Sequence, residues 1–347
     1  GDARLVVGAR SALFLPFADL GLIVVDEEHE ASFKQEDMVL YHARDMAVLR
    51  ASEERAAVVL ASATPSLESW ANAEAGKYAR IDLPERYGAA TLPDIRLIDL
   101  RENAPERNRW LSEPLVEAAR HRLSRGEQVL FFLNRRGYAP LTLCRACGAH
   151  FGCPHCDAWL VTHRFRATLM CHQCGHTEPM PTACPECGRD DRLAACGPGV
   201  ERLAEEAGEL FPAARIEVLS SDLTLGPDDL RARLDAIARG EADIVIGTQM
   251  VAKGHNFPTL TLVGVVDADM GLHGGDLRAA ERTFQVLHQV AGRAGRAEKP
   301  GLAMIQTATP DHAVMRAILS GDAEAFWRGL ADERHAAGMP PYGRLAG

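Results

Sequence analysis

Several things are missing from these 347 residues. No amino-terminal stretch is built like a secretory signal, and no apolar run is long enough to cross a bilayer. The chain is therefore expected to work in the cytosol, away from membranes. That setting weakens disulfides as an explanation for nine cysteines, because cytosolic thiols stay reduced. Basic charge is not in excess either: Lys plus Arg count 38 against 48 for Asp plus Glu, a net charge of −10. A chain of that sign is no general binder of phosphate backbones, so any nucleic-acid contact must come from a local groove. Low-complexity tracts and internal repeats are absent. So is the phosphate-cradling loop G-x-x-x-x-G-K-[ST], since Gly76-Lys77 runs on into Tyr78 and no other Gly-Lys pair occurs. This stretch supplies no nest of N–H groups with its lysine for the β- and γ-phosphates of a nucleotide.

What is present is led by cysteine. Eight thiols fall in four C-x-x-C pairs: Cys144/Cys147, Cys153/Cys156, Cys171/Cys174 and Cys184/Cys187. Each pair reads as a knuckle gripping one face of a metal, and two knuckles close a tetrahedral Zn(Cys)4 site, so two structural zinc ions are expected. Fourteen residues separate Cys156 from Cys171, room for a hairpin, whereas only five separate Cys147 from Cys153. The spacing favours a nested arrangement, with Cys153, Cys156, Cys171 and Cys174 inside and Cys144, Cys147, Cys184 and Cys187 outside. Sequential pairing stays open on spacing alone. His150, His155, His163, His172 and His176 lie among the thiols but find no vacancy once four thiolates hold each zinc. Cys196 falls outside the pattern and reads as a lone thiol. Five basic and five acidic residues share the 142–192 stretch. With anionic metal centres added, the stretch is better suited to protein contact or strand separation than to clamping a DNA backbone.

Composition is otherwise ordinary, 47% hydrophobic and 25% charged, and the length points to two domains plus the cysteine module. Short apolar runs alternate with helical patterns, the pattern of parallel strands covered by helices. Expected strands are 4–7, 22–25, 58–61, 129–133, 216–219, 244–246, 262–266 and 302–306. Expected helices are 42–52, 112–125, 199–210, 228–239, 278–291 and 311–319. The polar stretch 99–112 reads as a linker or surface loop. The fold expected is α/β: two RecA-like parallel-sheet lobes, the first incomplete, with a small two-zinc insertion in the second.

Three sites along these strands carry chemistry. Leu22-Ile23-Val24-Val25 runs straight into Asp26-Glu27-Glu28-His29, placing carboxylates at the C-terminal edge of a sheet, where α/β proteins bind ligands. In that position an Asp can hold Mg²⁺ and the neighbouring Glu can orient an attacking water. A solvated acidic turn is the plainer reading of the same residues. Later strands end in Ser62-Ala63-Thr64 and Gly247-Thr248-Gln249. A helix then closes in Gln289-Val290-Ala291-Gly292-Arg293-Ala294-Gly295-Arg296, where two arginines three apart suit the γ-oxygens of a triphosphate.

Taken in order, DEEH, SAT, GTQMVAKGHNFP and QVAGRAGR resemble the motifs of superfamily 2 helicases. With LFFLNRRGYAPLTLCRACG and the eight-cysteine insertion, the resemblance narrows to the bacterial primosomal replication-restart helicases and covers essentially the whole chain. That resemblance implies a 3′→5′ DNA helicase driven by ATP and Mg²⁺. It would recognise stalled or recombination-derived forks and begin primosome assembly. The expected partners are forked and single-stranded DNA, primosome and helicase-loading proteins and single-stranded-DNA-binding protein, all in the bacterial cytoplasm around the nucleoid. It further implies that Asp26 and Glu27 bind metal and activate water, and that Arg293 and Arg296 act on the triphosphate. Glu28, His29, Gln289 and Gly292 would line the nucleotide, with His29 near Gln289. Lys34, Tyr41, Arg44, Ser62, Thr64, Gly247, Thr248 and Lys253 would contact DNA or couple that contact to hydrolysis, and the zinc pairing would be nested. Met38, Val39 and Leu40 replace the glycine, aromatic and arginine often found in the coupling loop, leaving fewer rings to stack on bases. A zinc-bearing fork-binding scaffold without ATPase activity is the rival reading.

The domains expected are 1–92, the later part of lobe one; 93–141, the start of lobe two; 142–192, the zinc module; 193–330, the rest of lobe two; and 331–347, the start of a further domain. Without a phosphate loop, the sequence is expected to be a fragment, lacking an amino-terminal part and a C-terminal domain and inactive alone.

Overall fold

A computed structural model describes residues 4–35, 39–83, 93–107, 109–134, 142–144, 147, 149, 151–155, 160–163, 168–171, 174–190, 193–195, 199–219, 226–248, 251, 257–272, 276–295 and 300–344. The chain divides into two compact units, residues 1–81 with 329–347 and residues 82–328.

In the first unit, strand β1 (Leu22–Asp26) pairs in parallel with β4 (Ala57–Ala61), Asp26 standing opposite Ala61. Between them the chain forms a small antiparallel hairpin, β2 (Lys34–Gln35) and β3 (Tyr41–His42), and then helix α1 (Ala43–Glu54). Ala43, Ala47 and Ala51 recur at four-residue spacing and are buried, so α1 presents a stripe of small side chains and lies close to the strands. After β4, Ser66 caps helix α2 (Leu67–Glu74) by accepting from the Ser69 N–H. The strand run is apolar on both faces but buried on one: Val25 is 8% exposed, whereas Val24 is 58% exposed. Residues 4–7, expected as a strand, form none; the chain instead makes a short 3-10 turn at Arg10–Phe14.

The second unit holds a six-stranded parallel sheet in the order β12-β13-β6-β14-β15-β5. Its strands are β5 (Asp94–Asp99), β6 (Gln128–Leu133), β12 (Ile216–Leu219), β13 (Ile244–Gly247), β14 (Leu260–Asp267) and β15 (Leu302–Thr307). The central runs, Val129–Leu133 among them, are buried throughout, as expected for strands covered on both faces. Helices α3 (Glu113–Leu123), α4 (Val200–Leu210), α5 (Pro227–Ala238), α6 (Ala279–Ala291) and α7 (Ala313–Ser320) match the periodic stretches, and α8 (Ala323–Ala336) follows. Phe131, Leu115, Val116, Leu203 and Ile246 meet in the core between the sheet and α3 and α4.

Three features depart from the sequence reading. Strand β5 is absent from the expected strands, because Asp94, Arg96 and Asp99 interrupt its apolar run; it is an edge strand, where such charge is tolerated. The stretch 99–112 is not a free linker. Glu206 accepts from the Trp110 and Leu111 N–H groups, and Gln306 accepts from the Ser112 N–H and hydroxyl. Helices α2 and α8 went unread, the first because eight residues give too short a periodic signal.

The cysteine stretch departs from the sheet after β6. Strand β7 (Thr142–Cys144) pairs antiparallel with β11 (Leu193–Ala195), and β8 (Val161–His163), β9 (Thr168–Met170) and β10 (Thr177–Pro179) make a three-stranded antiparallel sheet. Phe151, Leu160, Leu169 and Cys171 form its small core.

Candidate functional site

Four consecutive side chains at the end of β1 take four different positions. Asp26 is exposed and accepts the Glu27 N–H at 3.0 Å. Glu27 has φ +49°, a left-handed conformation that costs a non-glycine residue about 1–2 kcal/mol. Such strain persists only where the surroundings over-determine the backbone. Those surroundings begin with Glu28, which is buried at 1% exposure and whose N–H is held by the Ala61 carbonyl at 3.1 Å. Its carboxylate accepts from the Ser66 N–H at 2.6 Å, the Ser66 and Ser69 hydroxyls at 2.9 Å each, and the Arg44 guanidinium at 3.2 Å. Four protein donors thus surround the oxygens of Glu28. His29 pairs through Nδ1 with the Ser62 hydroxyl at 2.7 Å and stands 3.6 Å from the Glu27 carboxylate. Ser62 also accepts the Thr64 N–H at 3.0 Å.

The residues expected on the DNA side are less uniform. Lys34 is exposed in the hairpin. Tyr41 is half-buried and packs edge-on against Phe14, ring centroids 5.3 Å apart. Arg10 fixes the start of the hairpin by donating to the Ser32 and Lys34 carbonyls. Arg44 is buried. It bonds Asp45 at 2.9 Å, the Ser66 hydroxyl at 2.6 Å and Glu28, with Glu68 at 3.9 Å. Burial alone would lower its pKa, but Asp45, Glu28 and Glu68 outweigh it and raise it. Thr64 is likewise buried.

In the second unit the predicted residues sit at opposite edges of one sheet. Gly247 ends β13, and a side chain there would come within 2.8 Å of Val251 and 3.1 Å of the Leu219 carbonyl, so the turn into Thr248 needs glycine's small size. At the other edge Gly295, φ +71°, donates its N–H to the Leu260 carbonyl at the start of β14. This turn fixes buried Arg293 just past the end of α6. Gln289 lies in the last turn of that helix, and Gly292 caps it through the His288 carbonyl. Thirteen residues of α6 span about 20 Å between the two edges. Cys156, Lys253 and Arg296 lie outside the described residues.

One acidic cluster was not foreseen. Past β14, Asp269 accepts from the Thr307 hydroxyl at 2.5 Å, the Ala308 N–H at 2.6 Å and the Thr309 hydroxyl at 2.7 Å, tying β14 to β15. Burial and the neighbouring Asp269 push the Asp267 carboxyl up to about 7, against the pull of the Met270 and Asp269 N–H groups. The signal was legible: Val-Val-Asp-Ala-Asp repeats the strand-into-acid pattern of Val-Val-Asp-Glu-Glu.

The thiols gather as a nested pair of clusters. Cys144, Cys147, Cys184 and Cys187 have all their sulfurs within 4.8 Å of one another, as do Cys153, Cys171 and Cys174. The Cys144–Cys187, Cys147–Cys184 and Cys153–Cys174 sulfurs stand 3.5, 3.7 and 3.4 Å apart. The edge of a tetrahedron with 2.3 Å metal–sulfur bonds is about 3.8 Å, so the spacing fits zinc and is far too long for disulfides. Electrostatics says the same. For Cys147 the Ala149 N–H pulls the thiol down, but burial and hydrogen bonds to Cys187, Cys144 and Cys184 drive it up to about 12. For Cys184 burial pushes upward, yet the Cys187 and Glu186 N–H groups and the Cys147 and Cys144 thiols bring it down to about 7. Four sulfurs this close cannot all ionise without a cation among them.

Residues 153–179 match the model of the PriA DNA helicase Cys-rich region, and residues 189–298 match that of the helicase conserved C-terminal domain. Along 99% of its length the chain is 48% identical to the replication restart protein PriA of Rickettsia felis and 46% identical to that of Bacillus subtilis. The chain belongs to the PriA family. It spans about half the length of these relatives, 53% of the first and 43% of the second. Among solved structures, RecG bound to a three-way DNA junction matches 91% of this chain and 30% of its own, with a TM-score of 0.46 at 15% identity. The matched Cys-rich region falls where the thiols gather, and those thiols form a zinc-binding ligand set. No helix among the described residues is long and apolar enough to cross a membrane.

Proposed function

We propose that the full-length protein is an ATP-dependent 3′→5′ DNA helicase that recognises stalled or recombination-derived forks and starts primosome assembly. One observation supports this reading most strongly. Of the acids at the β1 tip, Glu28 is consumed internally, which leaves Asp26 and Glu27 directed to an exposed sheet edge on a backbone held in place. Hard carboxylate oxygens at the C-terminal edge of parallel strands fit a magnesium-bound nucleotide. Asp26 would hold the metal and Glu27 would orient the attacking water, with His29 beside it set by Ser62. Arg293 and Arg296 would neutralise charge on the γ-phosphate. When bound, ATP with Mg²⁺ supplies the phosphoryl transfer that drives the motor. Lys34, Gly247, Thr248 and Lys253 would meet the DNA backbone. Forked and single-stranded DNA, single-stranded-DNA-binding protein and helicase-loading proteins are the partners of this reading, in the bacterial cytoplasm. The two zinc ions hold the module's fold and leave its surface for such contacts.

The test is ATP turnover by the full-length protein with forked DNA, beside Glu27→Gln. Loss of the base is expected to lower turnover at least roughly 100-fold. Equal turnover in the two proteins sinks the assignment and favours a fork-binding scaffold.

A further inference from the structure

The two thiol clusters present their sulfurs to solvent differently. In the outer cluster Cys147 and Cys187 are exposed, while Cys144 and Cys184 are buried. Each exposed sulfur faces a buried one from the opposite knuckle: Cys187 stands 3.5 Å from Cys144, and Cys147 stands 3.7 Å from Cys184. In the inner cluster Cys174 is exposed, but Cys171 belongs to the apolar core of Phe151, Leu160 and Leu169, and half-buried Cys153 packs against that core. The Cys153 sulfur also accepts the His155 N–H at 3.4 Å. An accessible thiolate with a resolving sulfur in reach is the arrangement of redox-sensitive cysteines. The outer cluster holds it twice. It also sits where the cysteine stretch is rooted. Cys144 ends β7 and stands opposite Leu193 of β11, and Cys187 lies in the segment that leads into β11. A bond between these two sulfurs would tie the entering segment to the leaving one, as a shared metal ion does.

We propose that the outer cluster is a reversible oxidation site, at which hydrogen peroxide converts Cys187 and Cys144 into a disulfide that replaces the metal ion as the tie. Cys187 is the point of entry, because the sulfur of the other exposed thiol, Cys147, already accepts the Ala149 N–H. The Cys187 thiolate attacks the O–O bond, forming a sulfenic acid and expelling hydroxide, which takes a proton and leaves as water. The Cys144 thiolate then attacks the Cys187 sulfur, forming the S–S bond and expelling a second hydroxide, which is protonated likewise. The two sulfurs give up two electrons, and one peroxide becomes two waters. Cys147 and Cys184 each take up a proton as the ion leaves. Closing the 3.5 Å gap to a disulfide needs a shift of about 1.5 Å. A reducing dithiol reverses the step by thiol–disulfide exchange and frees the ligand set for metal again.

The experiment uses unmodified, zinc-loaded, full-length protein, so no variant has to fold. Hydrogen peroxide is added stepwise beside a chromogenic chelator too weak to take zinc from the untreated protein. Disulfides are mapped by mass spectrometry after alkylation. One zinc ion is expected to appear before the other, with Cys144–Cys187 as the first disulfide. Outer thiols should lose their reactivity toward alkylation at least about threefold faster than inner ones. Hydrogen exchange separates this oxidation from simple metal loss. Protection in β7 and β11 should stay within about twofold of the untreated protein after oxidation, and fall well beyond that after chelation. A dithiol reductant with added zinc should restore both ions. A first disulfide other than Cys144–Cys187 overturns the proposal, as does release of both ions together or of neither. Sulfinic or sulfonic acid at Cys187 without a disulfide overturns it too. So does equal loss of β7 and β11 protection in the oxidised and the chelated protein.

Discussion

The two units each end a parallel strand in acid, and they treat that acid differently. In the first, Glu28 is buried against Arg44 and surrounded by hydroxyl and amide donors. In the second, Asp269 is held by hydroxyl and amide donors, and its neighbour Asp267 is pushed up to about 7 by burial and by Asp269. A positive partner repays the desolvation of a buried carboxylate, and a second carboxylate beside it adds to the cost. The cysteine clusters are the extreme case of the same rule. Four sulfurs converge on each other, and only a divalent ion makes that arrangement favourable.

If the rule holds, removing the cation should hurt most where the anions are densest. Chelating the metal is expected to unfold the 142–195 stretch while the six-stranded sheet persists, since small zinc domains draw about 10–16 kcal/mol from their metal. Metal analysis should give about two zinc ions per chain. Hydrogen exchange on the chelated protein is the check, and unchanged protection in β7 to β11 sinks the claim.

Next in size is the buried pair of the first unit. Glu28→Ala leaves Arg44 facing Asp45 and Glu68 alone and strips Ser66 and Ser69 of their acceptor. A loss of about 3–5 kcal/mol is expected, as when one partner of a buried pair is deleted. Urea denaturation measures it, and a loss under about 1 kcal/mol would show the network to be dispensable.

The smallest effect has the opposite sign. Asp267 has a folded value of about 7 against an ordinary 3.8, so its contribution to stability is complete below about pH 4 and is lost as pH rises through about 7. Asp267→Asn cannot ionise, and its Oδ1 can still accept the Met270 N–H. Its advantage in thermal midpoint over the unmodified protein should therefore widen from pH 5 to pH 8, by roughly 2–4 °C for each kcal/mol. An advantage that narrows over that range breaks the comparison with Glu28.

Much of this was legible in the order of residues. Apolar runs such as Val129–Leu133 gave the central strands, because a strand covered on both faces has no polar position to disguise it. Four C-x-x-C pairs gave the ligand set. Edge strand β5 and the pinned segment around Trp110 were hidden, because each is held by partners near residues 206 and 302–307, which local pattern cannot report. The burial of Arg44 was hidden for a related reason: only the fold brings Glu28 and Ser66 against it.

By itself, the sequence determined which atoms are available: eight thiols in knuckle spacing, acids placed at strand ends, arginines at a helix terminus. Tertiary structure alone decided which acid faces outward and which is spent inside, that Arg44 serves the interior, and that the thiols close in a nested order. The reason is physical. Donor type and local spacing are properties of neighbours in the chain, whereas desolvation and charge pairing depend on groups that only folding brings within 3–4 Å of each other.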